Sequence, residues 1–255
     1  GDDSAYITQA YLYFSGQMVP PSDHWGLRGL LVGLTAVSFS IFGVTAFAVA
    51  FFPLLFSLAS IVVAYVLGSM AGGRSTGLMA AFLVAVFPME VIFGSHLFPY
   101  AFLSFLCSTS LTFFVAAEQS GRASLYFLCG IALGVAYLAR ETALFCGLFF
   151  IAYMLWLRRF RANWLFALAG FCVVFACESA FYTTITGQPL YRLRTLAGLG
   201  AELPDQVNEA SKGAYLSLQW WVEPFIRPIA EQEVGLYFLV FLVAVPIVGW
   251  RFRES

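Results

Sequence analysis

The run AFAVAFFPLLFSLASIVVAYVLGSMAG, residues 46–72, carries no charged side chain over its whole length. A helix needs about 20 mainly apolar residues to cross a bilayer core of about 30 Å, whereas a spanning strand would alternate apolar and polar residues, which this run does not. Inside hydrocarbon the backbone must satisfy its own hydrogen bonds, so the run reads as a transmembrane helix. The same reading extends to Gly77 to Phe93, Leu97 to Ala117, Leu125 to Ala139, Thr142 to Leu157, Trp164 to Tyr182 and Gly235 to Trp250.

Composition agrees with these spans. Of 255 residues only 13 are Lys or Arg and 14 Asp or Glu, 11% charged, where a soluble domain carries about 25%. With 61% hydrophobic residues and a mean hydropathy of +0.84, the chain is neither disordered nor collagen-like. It also lacks the surplus of cations that nucleic-acid binding needs, so no nucleic-acid partner is expected. Gly1 is not an initiator methionine and no signal peptide precedes the first apolar run. Arg251-Phe252-Arg253-Glu254-Ser255 follows a hydrophobic span directly, so the chain reads as a fragment continuing on both sides. Cys107, Cys129, Cys146, Cys172 and Cys177 lie in apolar runs without metal-ligand spacing and read as small packing residues.

Two segments before the spans read differently. Residues Asp2 to Gln17 place Ile7, Ala10, Tyr11 and Phe14 on one helical face, which predicts an interfacial helix. The run from Trp25 to Gly43 is apolar, but Gly26, Arg28, Gly29 and Gly33 favour interfacial or re-entrant placement over crossing. Arg74, then Arg122, then Arg158, Arg159 and Arg161, then Arg251 and Arg253 occupy alternate connections and mark the cytoplasmic side. Trp156, Trp164 and Trp250 sit where an interfacial aromatic belt would be.

With that orientation, the ionisable residues near the spans gather on the external side: Glu90, His96, Arg140-Glu141 and Glu178, with Asp2, Asp3, Asp23, His24 and Arg28 before them. Such residues are expensive in a membrane and by default mark function, although helix-end snorkelling and structural ion pairs are the ordinary alternatives. The stretch from Gly187 to Val234 exceeds an ordinary connection and is expected to be functional or to hold a helix of its own. It contains Tyr191, Arg192, Arg194, Lys212 and Trp220-Trp221; the tryptophan pair suits a sugar face or an interfacial anchor. In total the cytoplasmic side holds seven Arg and two acids, and the external side six basic and twelve acidic residues.

Several strings carry a family resemblance. Gly1-Asp2-Asp3-Ser4-Ala5-Tyr6, an amphipathic stretch, Ser22-Asp23-His24-Trp25-Gly26 and a run ending in Phe42-Gly43 resemble the first external loop of the GT-C membrane glycosyltransferases. The closer likeness is to the protein O-mannosyltransferase and aminoarabinose transferase families. Ala85-Val86-Phe87-Pro88, the glycine-rich helix leading to Leu138-Ala139-Arg140-Glu141-Thr142, and Thr186-Gly187-Gln188-Pro189-Leu190-Tyr191-Arg192 follow in order.

The resemblance implies an all-α polytopic transmembrane bundle of GT-C type, here without its first transmembrane helix and C-terminal region. Its parts are a catalytic external loop (1–43), a helical core (44–186), a long external loop (187–234) and a last helix with a cytoplasmic end (235–255). It also implies hexosyl or pentosyl transfer, with inversion, from a polyprenyl-phosphate sugar to a protein, lipid or glycan acceptor, in a prokaryotic plasma membrane. By carry-over, Asp2 is the expected catalytic base with Asp3 its acidic neighbour, and Arg140 lies near the lipid phosphate. Tyr6, His24, Arg28, His96, Glu141, Arg192 and Arg194 complete the expected substrate-binding set.

No cofactor is required by this reading. Two adjacent carboxylates ionise together more easily beside a cation, so a divalent metal at Asp2 and Asp3 is optional. The chain departs from the family at His24-Trp25-Gly26, where His-Pro-Pro is usual, and at Tyr100, where an Asp is frequent; both bear on specificity. The competing expectations are a transporter or permease, in which these charges form a vestibule, and a structural membrane subunit. Convergence of the charges on one end favours transfer, and their dispersal over both ends favours the alternatives.

Overall fold

The computed structural model describes residues 2–17, 19–21, 25–157 and 161–201. The expected span from Gly235 to Trp250 and the pair Trp220-Trp221 lie outside the described residues, as does His24. Among the described residues every regular element is a helix: α1 (Asp2–Phe14), α2 (Gly29–Phe42), α3 (Ala46–Gly72), α4 (Arg74–Ala85), α5 (Pro88–Ser95), α6 (Pro99–Ser120), α7 (Ala123–Ala139), α8 (Leu144–Leu157), α9 (Leu165–Thr186) and α10 (Tyr191–Ala201). Single 3₁₀ turns at Glu141–Ala143 and Ala162–Trp164 precede α8 and α9.

Local chemistry sets many of these boundaries. The Thr45 hydroxyl accepts from the Ala48 N–H at 3.2 Å and caps α3. Pro88 and Pro99 open α5 and α6, positions where the missing N–H is harmless. Gly121 (φ 68°) and Gly187 (φ 72°) end α6 and α9 in the left-handed region that favours glycine.

Among the described residues three helices are each long and apolar enough to cross a membrane: Ala46–Gly72, Pro99–Ser120 and Ala162–Thr186. The span expected from Gly77 to Phe93 forms as two helices, α4 and α5, which together are long and apolar enough to cross but are bent by 57°. The physical reason is Pro88, which supplies no N–H and disfavours helical backbone at Phe87 (ψ 116°). Helix α2 has 14 residues, about 21 Å at 1.5 Å per residue, too short to cross by itself. Helix α1 buries Tyr6 and Ala10 against α2 and leaves Tyr11 and Phe14 of its apolar face exposed.

The core has two centres. One joins Leu106 and Phe114 of α6 with Tyr126, Cys129, Leu133 and Tyr137 of α7 and Phe150 of α8. The other joins Tyr6 and Ala10 of α1 with Leu31, Val32 and Phe39 of α2, Ala48, Leu97, Phe102 and Ala139. Outward faces carry exposed Leu54, Leu58, Val62 and Phe82, a surface suited to lipid and not to water.

Helix α7 meets α9 backbone to backbone. A Cβ at Gly130 would collide with the Ala167 carbonyl, and one at Gly170 with the Phe127 carbonyl. A Cβ at Gly134 would lie 2.8 Å from Val174 Cβ. Small residues that let backbones approach are the usual means of packing helices where no hydrophobic drive separates protein from lipid. The obstacle at Gly130 and Gly170 is main chain, which cannot rotate away. In the full-length protein, Gly170→Ala is expected to lower stability by about 1–3 kcal/mol, read as an earlier unfolding midpoint in detergent; an unchanged midpoint refutes this contact.

Candidate functional site

The α7–α8 junction organises one end of the bundle. Helix α7 stops at Ala139 because Arg140 is extended (φ −164°, ψ 139°), and the chain restarts in the turn at Glu141. Two adjacent charged side chains therefore leave the chain at a helix break, and they meet different partners.

Glu141 is turned toward Arg192 of α10, whose Nε and Nη2 donate to its Oε1 at 3.1 and 2.5 Å. Arg192 Nη1 donates to Glu178 Oε1 at 2.8 Å, and Nη2 also donates to the Tyr137 carbonyl at 2.9 Å. The guanidinium carbon lies 4.4 Å from the Tyr137 ring centroid. Arg192 is 2% exposed and Glu178 8%, whereas Glu141 is 32% exposed, so the guanidinium is shut off from solvent and the triad opens only on its Glu141 side. A buried guanidinium needs its charge and donors matched, and here α7, α9 and the 3₁₀ turn match them. The expectation that Arg192 contacts a substrate phosphate is therefore corrected: protein groups occupy its donors, and the residue acts as a strut. Arg194, on the same helix, is exposed and donates to Gln188 Oε1 at 3.4 Å.

Burial is the largest single influence on Glu141 and pushes its carboxyl up, but the charge and hydrogen bonds of Arg192, helped by Arg28, bring it net below the ordinary 4.5. Arg28 thus belongs to the same end. It is 7% exposed, donates to the Tyr6 hydroxyl, and stacks over the Tyr6 and Trp25 rings at 5.5 and 5.0 Å. Tyr6 is fully buried, so its hydroxyl serves Arg28 and does not face an open surface. The α10 end of the network also reaches this region, since the Tyr191 hydroxyl donates to the Pro21 carbonyl at 3.0 Å.

Arg140 is different. Its guanidinium lies 5.0 Å from the centroid of Tyr100, and among the described residues it makes no hydrogen bond or ion pair. Tyr100 packs in turn against Phe93 at 4.4 Å. His96 is exposed beside them, with Nδ1 2.9 Å from Ser95 Oγ and 3.0 Å from the Ile92 carbonyl. On α1, Asp3 Oδ1 is buried without a hydrogen-bond partner. Asp2 is in the first turn of α1; its side chain lies outside the description. Among the described residues no three His, Cys, Asp or Glu side chains gather as a metal-binding group.

Between α7, α8 and α9 runs a cavity of about 890 Å³, lined by Leu133, Phe145, Leu148, Phe150, Leu168 and Phe171 among others. Glu141 and Thr142 border it where α8 begins, and Trp164 borders it beyond the other end of α8.

Residues 31–182 match the model of the dolichyl-phosphate-mannose-protein mannosyltransferase family. The chain belongs to this family. Comparison with curated proteins and with solved structures returns no match. As a member of the mannosyltransferase family with long apolar helices, the chain is an integral membrane glycosyltransferase of the GT-C type.

Sequence reading missed a second ionic cluster at the opposite end of α7. Glu118 accepts from the Tyr126 hydroxyl at 2.7 Å, from Trp164 Nε1 at 2.6 Å and from Arg161 at 3.1 Å. Trp164, expected in an interfacial belt, is 6% exposed and buried against this carboxylate. No local signal marks the cluster, because its members come from α6, α7 and the turn before α9.

Removing one partner of a buried ion pair costs about 3–5 kcal/mol, so Arg192→Met is expected to unfold the full-length mannosyltransferase-family protein at a clearly lower temperature than Arg194→Met. Equal melting of the two variants would overturn the strut assignment. The folded carboxyl of Glu141 holds its proton less tightly than the unfolded one. Its contribution is complete above pH 4.5 and is lost as the pH falls through the lower folded value. The protection of the α10 amides relative to their intrinsic exchange rate at each pH should accordingly hold at neutral pH and fall only below that range; loss of protection already near pH 6 contradicts it.

Proposed function

We propose that this chain carries the catalytic end of an inverting glycosyltransferase, which moves a sugar from a polyprenyl-phosphate donor to a hydroxyl or amine on a protein, lipid or glycan acceptor. The supporting observation is the convergence, at one end of the bundle, of α1, Arg28, the Arg140–Glu141 break and α10. The ionic cluster at the other end of α7 is closed on itself, with Glu118 taken up by Tyr126, Trp164 and Arg161, whereas the groups at the α7–α8 junction include Arg140, a cation held only by a ring among the described residues.

Asp2 takes the proton of the acceptor as the acceptor oxygen or nitrogen bonds to the anomeric carbon. The bond from that carbon to the phosphate oxygen breaks, and its electron pair leaves with the lipid phosphate. Growing negative charge on that oxygen is best met by cations with open donors. Arg140 meets this condition and Arg192 does not. A divalent cation on Asp2 and Asp3 would hold the two carboxylates together; proton acceptance by Asp2 does not require it. The apolar cavity bordered by Glu141 suits an isoprenoid chain whose phosphate stays at the break. In this reading the site faces outward from a prokaryotic plasma membrane.

General-base removal lowers rates by about 10²–10⁴. Asp2→Asn in the full-length enzyme, supplied with a polyprenyl-phosphate sugar in membranes, should therefore lose sugar transfer and lipid-phosphate release together. Wild-type turnover by this variant would exclude Asp2 as the base.

A further inference from the structure

The two arginines nearest the α7–α8 break show two ways of holding a guanidinium. Arg192 is held by acceptors: two carboxylates and one carbonyl take its Nε, Nη1 and Nη2 donors. Arg140 is held by a ring, at 5.0 Å from the Tyr100 centroid. The difference is chemical. An aromatic face attracts the cation through its quadrupole and leaves the N–H groups, which lie in the guanidinium plane, open. A carboxylate in the same place would neutralise the charge and take up donors. Its neighbour Glu141 is already turned away to Arg192, so nothing adjacent in the chain closes Arg140 off.

The ring itself is well supported. Tyr100 is the second residue of α6, just after Pro99, and packs on Phe93 of α5 at 4.4 Å and near Phe98 at 6.4 Å. Phe98 also lies 5.9 Å from Phe93. Three aromatic rings from the α5–α6 corner thus form a shelf, and the bend at Pro88 sets the direction in which α5 brings its part. Tyr100 remains 39% exposed and Arg140 is half-buried, so the pair lies at the edge of the surface.

We propose that Tyr100 is the positioning residue for Arg140: its ring fixes the cation at the mouth of the site with the guanidinium donors open to a donor phosphate. The proposal rests on the reading of Arg140 as the phosphate contact. A cation over an aromatic ring is worth about 0.5–2 kcal/mol, equivalent to about a 2- to 30-fold change in affinity.

The test uses the full-length protein in nanodiscs, with two readouts: retention of a polyprenyl monophosphate, and sugar transfer from the corresponding phosphate-linked donor. Tyr100→Leu should weaken lipid-phosphate retention and raise the donor KM by about 2- to 30-fold, with a smaller change in kcat. Tyr100→Phe, which keeps the ring, should restore most of that loss. In an Arg140→Met background, replacing Tyr100 by Leu should have no further effect, because the ring acts only through the cation. Equal retention by wild type and Tyr100→Leu, or the same penalty with and without Arg140, overturns the proposal. Retention that follows the expected order without any sugar transfer upholds Tyr100 and refutes the transfer reading instead.

Discussion

A buried guanidinium must have its charge and its donors matched, and the Arg192 triad meets that constraint by joining three parts of the chain. Glu141 comes from the break after α7, Glu178 from α9 and Arg192 from α10. Once Arg192 has claimed Glu141, the neighbouring Arg140 is left without an acidic partner beside it in the chain. The same interaction therefore holds the end of the bundle together and separates a structural cation from an open one. The cost of desolvating Arg192 and Glu178 is offset by short hydrogen bonds, by the half-buried Glu141 and by the Tyr137 ring and carbonyl.

The position of that triad depends in turn on helix packing. Gly130 and Gly170 bring the backbones of α7 and α9 together, which places Tyr137 and Glu178 near one another farther along the same pair. At the other end of α7, Glu118 ties α6, α7 and the turn before α9 by three hydrogen bonds. Helix α7 is consequently fixed at both ends and along its length. Helix α8 stands apart from α9 across the apolar cavity, an arrangement that suits a site needing one rigid wall and one side open to lipid.

Much of the fold was legible because a bilayer imposes simple rules. The uncharged run 46–72 became α3 with those bounds, and the charged pair at Arg140-Glu141 became a helix break. Family strings around Leu138 to Thr142 and Thr186 to Arg192 pointed to the end where the ionic network forms. The failures have physical causes too. A hydropathy run cannot register that Pro88 divides Gly77 to Phe93, since proline scarcely alters mean hydropathy while it removes a backbone donor. Periodicity grouped Ile7, Ala10, Tyr11 and Phe14 on one apolar face of α1, but it could not tell that Tyr6 and Ala10 are the residues that pack on α2 while Tyr11 and Phe14 stay exposed.

By itself the sequence determined the solvent of this protein, the helical class of its segments and the family to which it belongs, because these follow from composition and from short local strings. Only the tertiary structure decided the roles of the arginines. Arg28, Arg140 and Arg192 are the same residue type on the same expected side, yet one donates to a buried tyrosine, one lies open on a ring and one is closed in by carboxylates. What a guanidinium can do depends on which of its donors are already taken, and the groups that take them lie as far as 55 residues away in the chain.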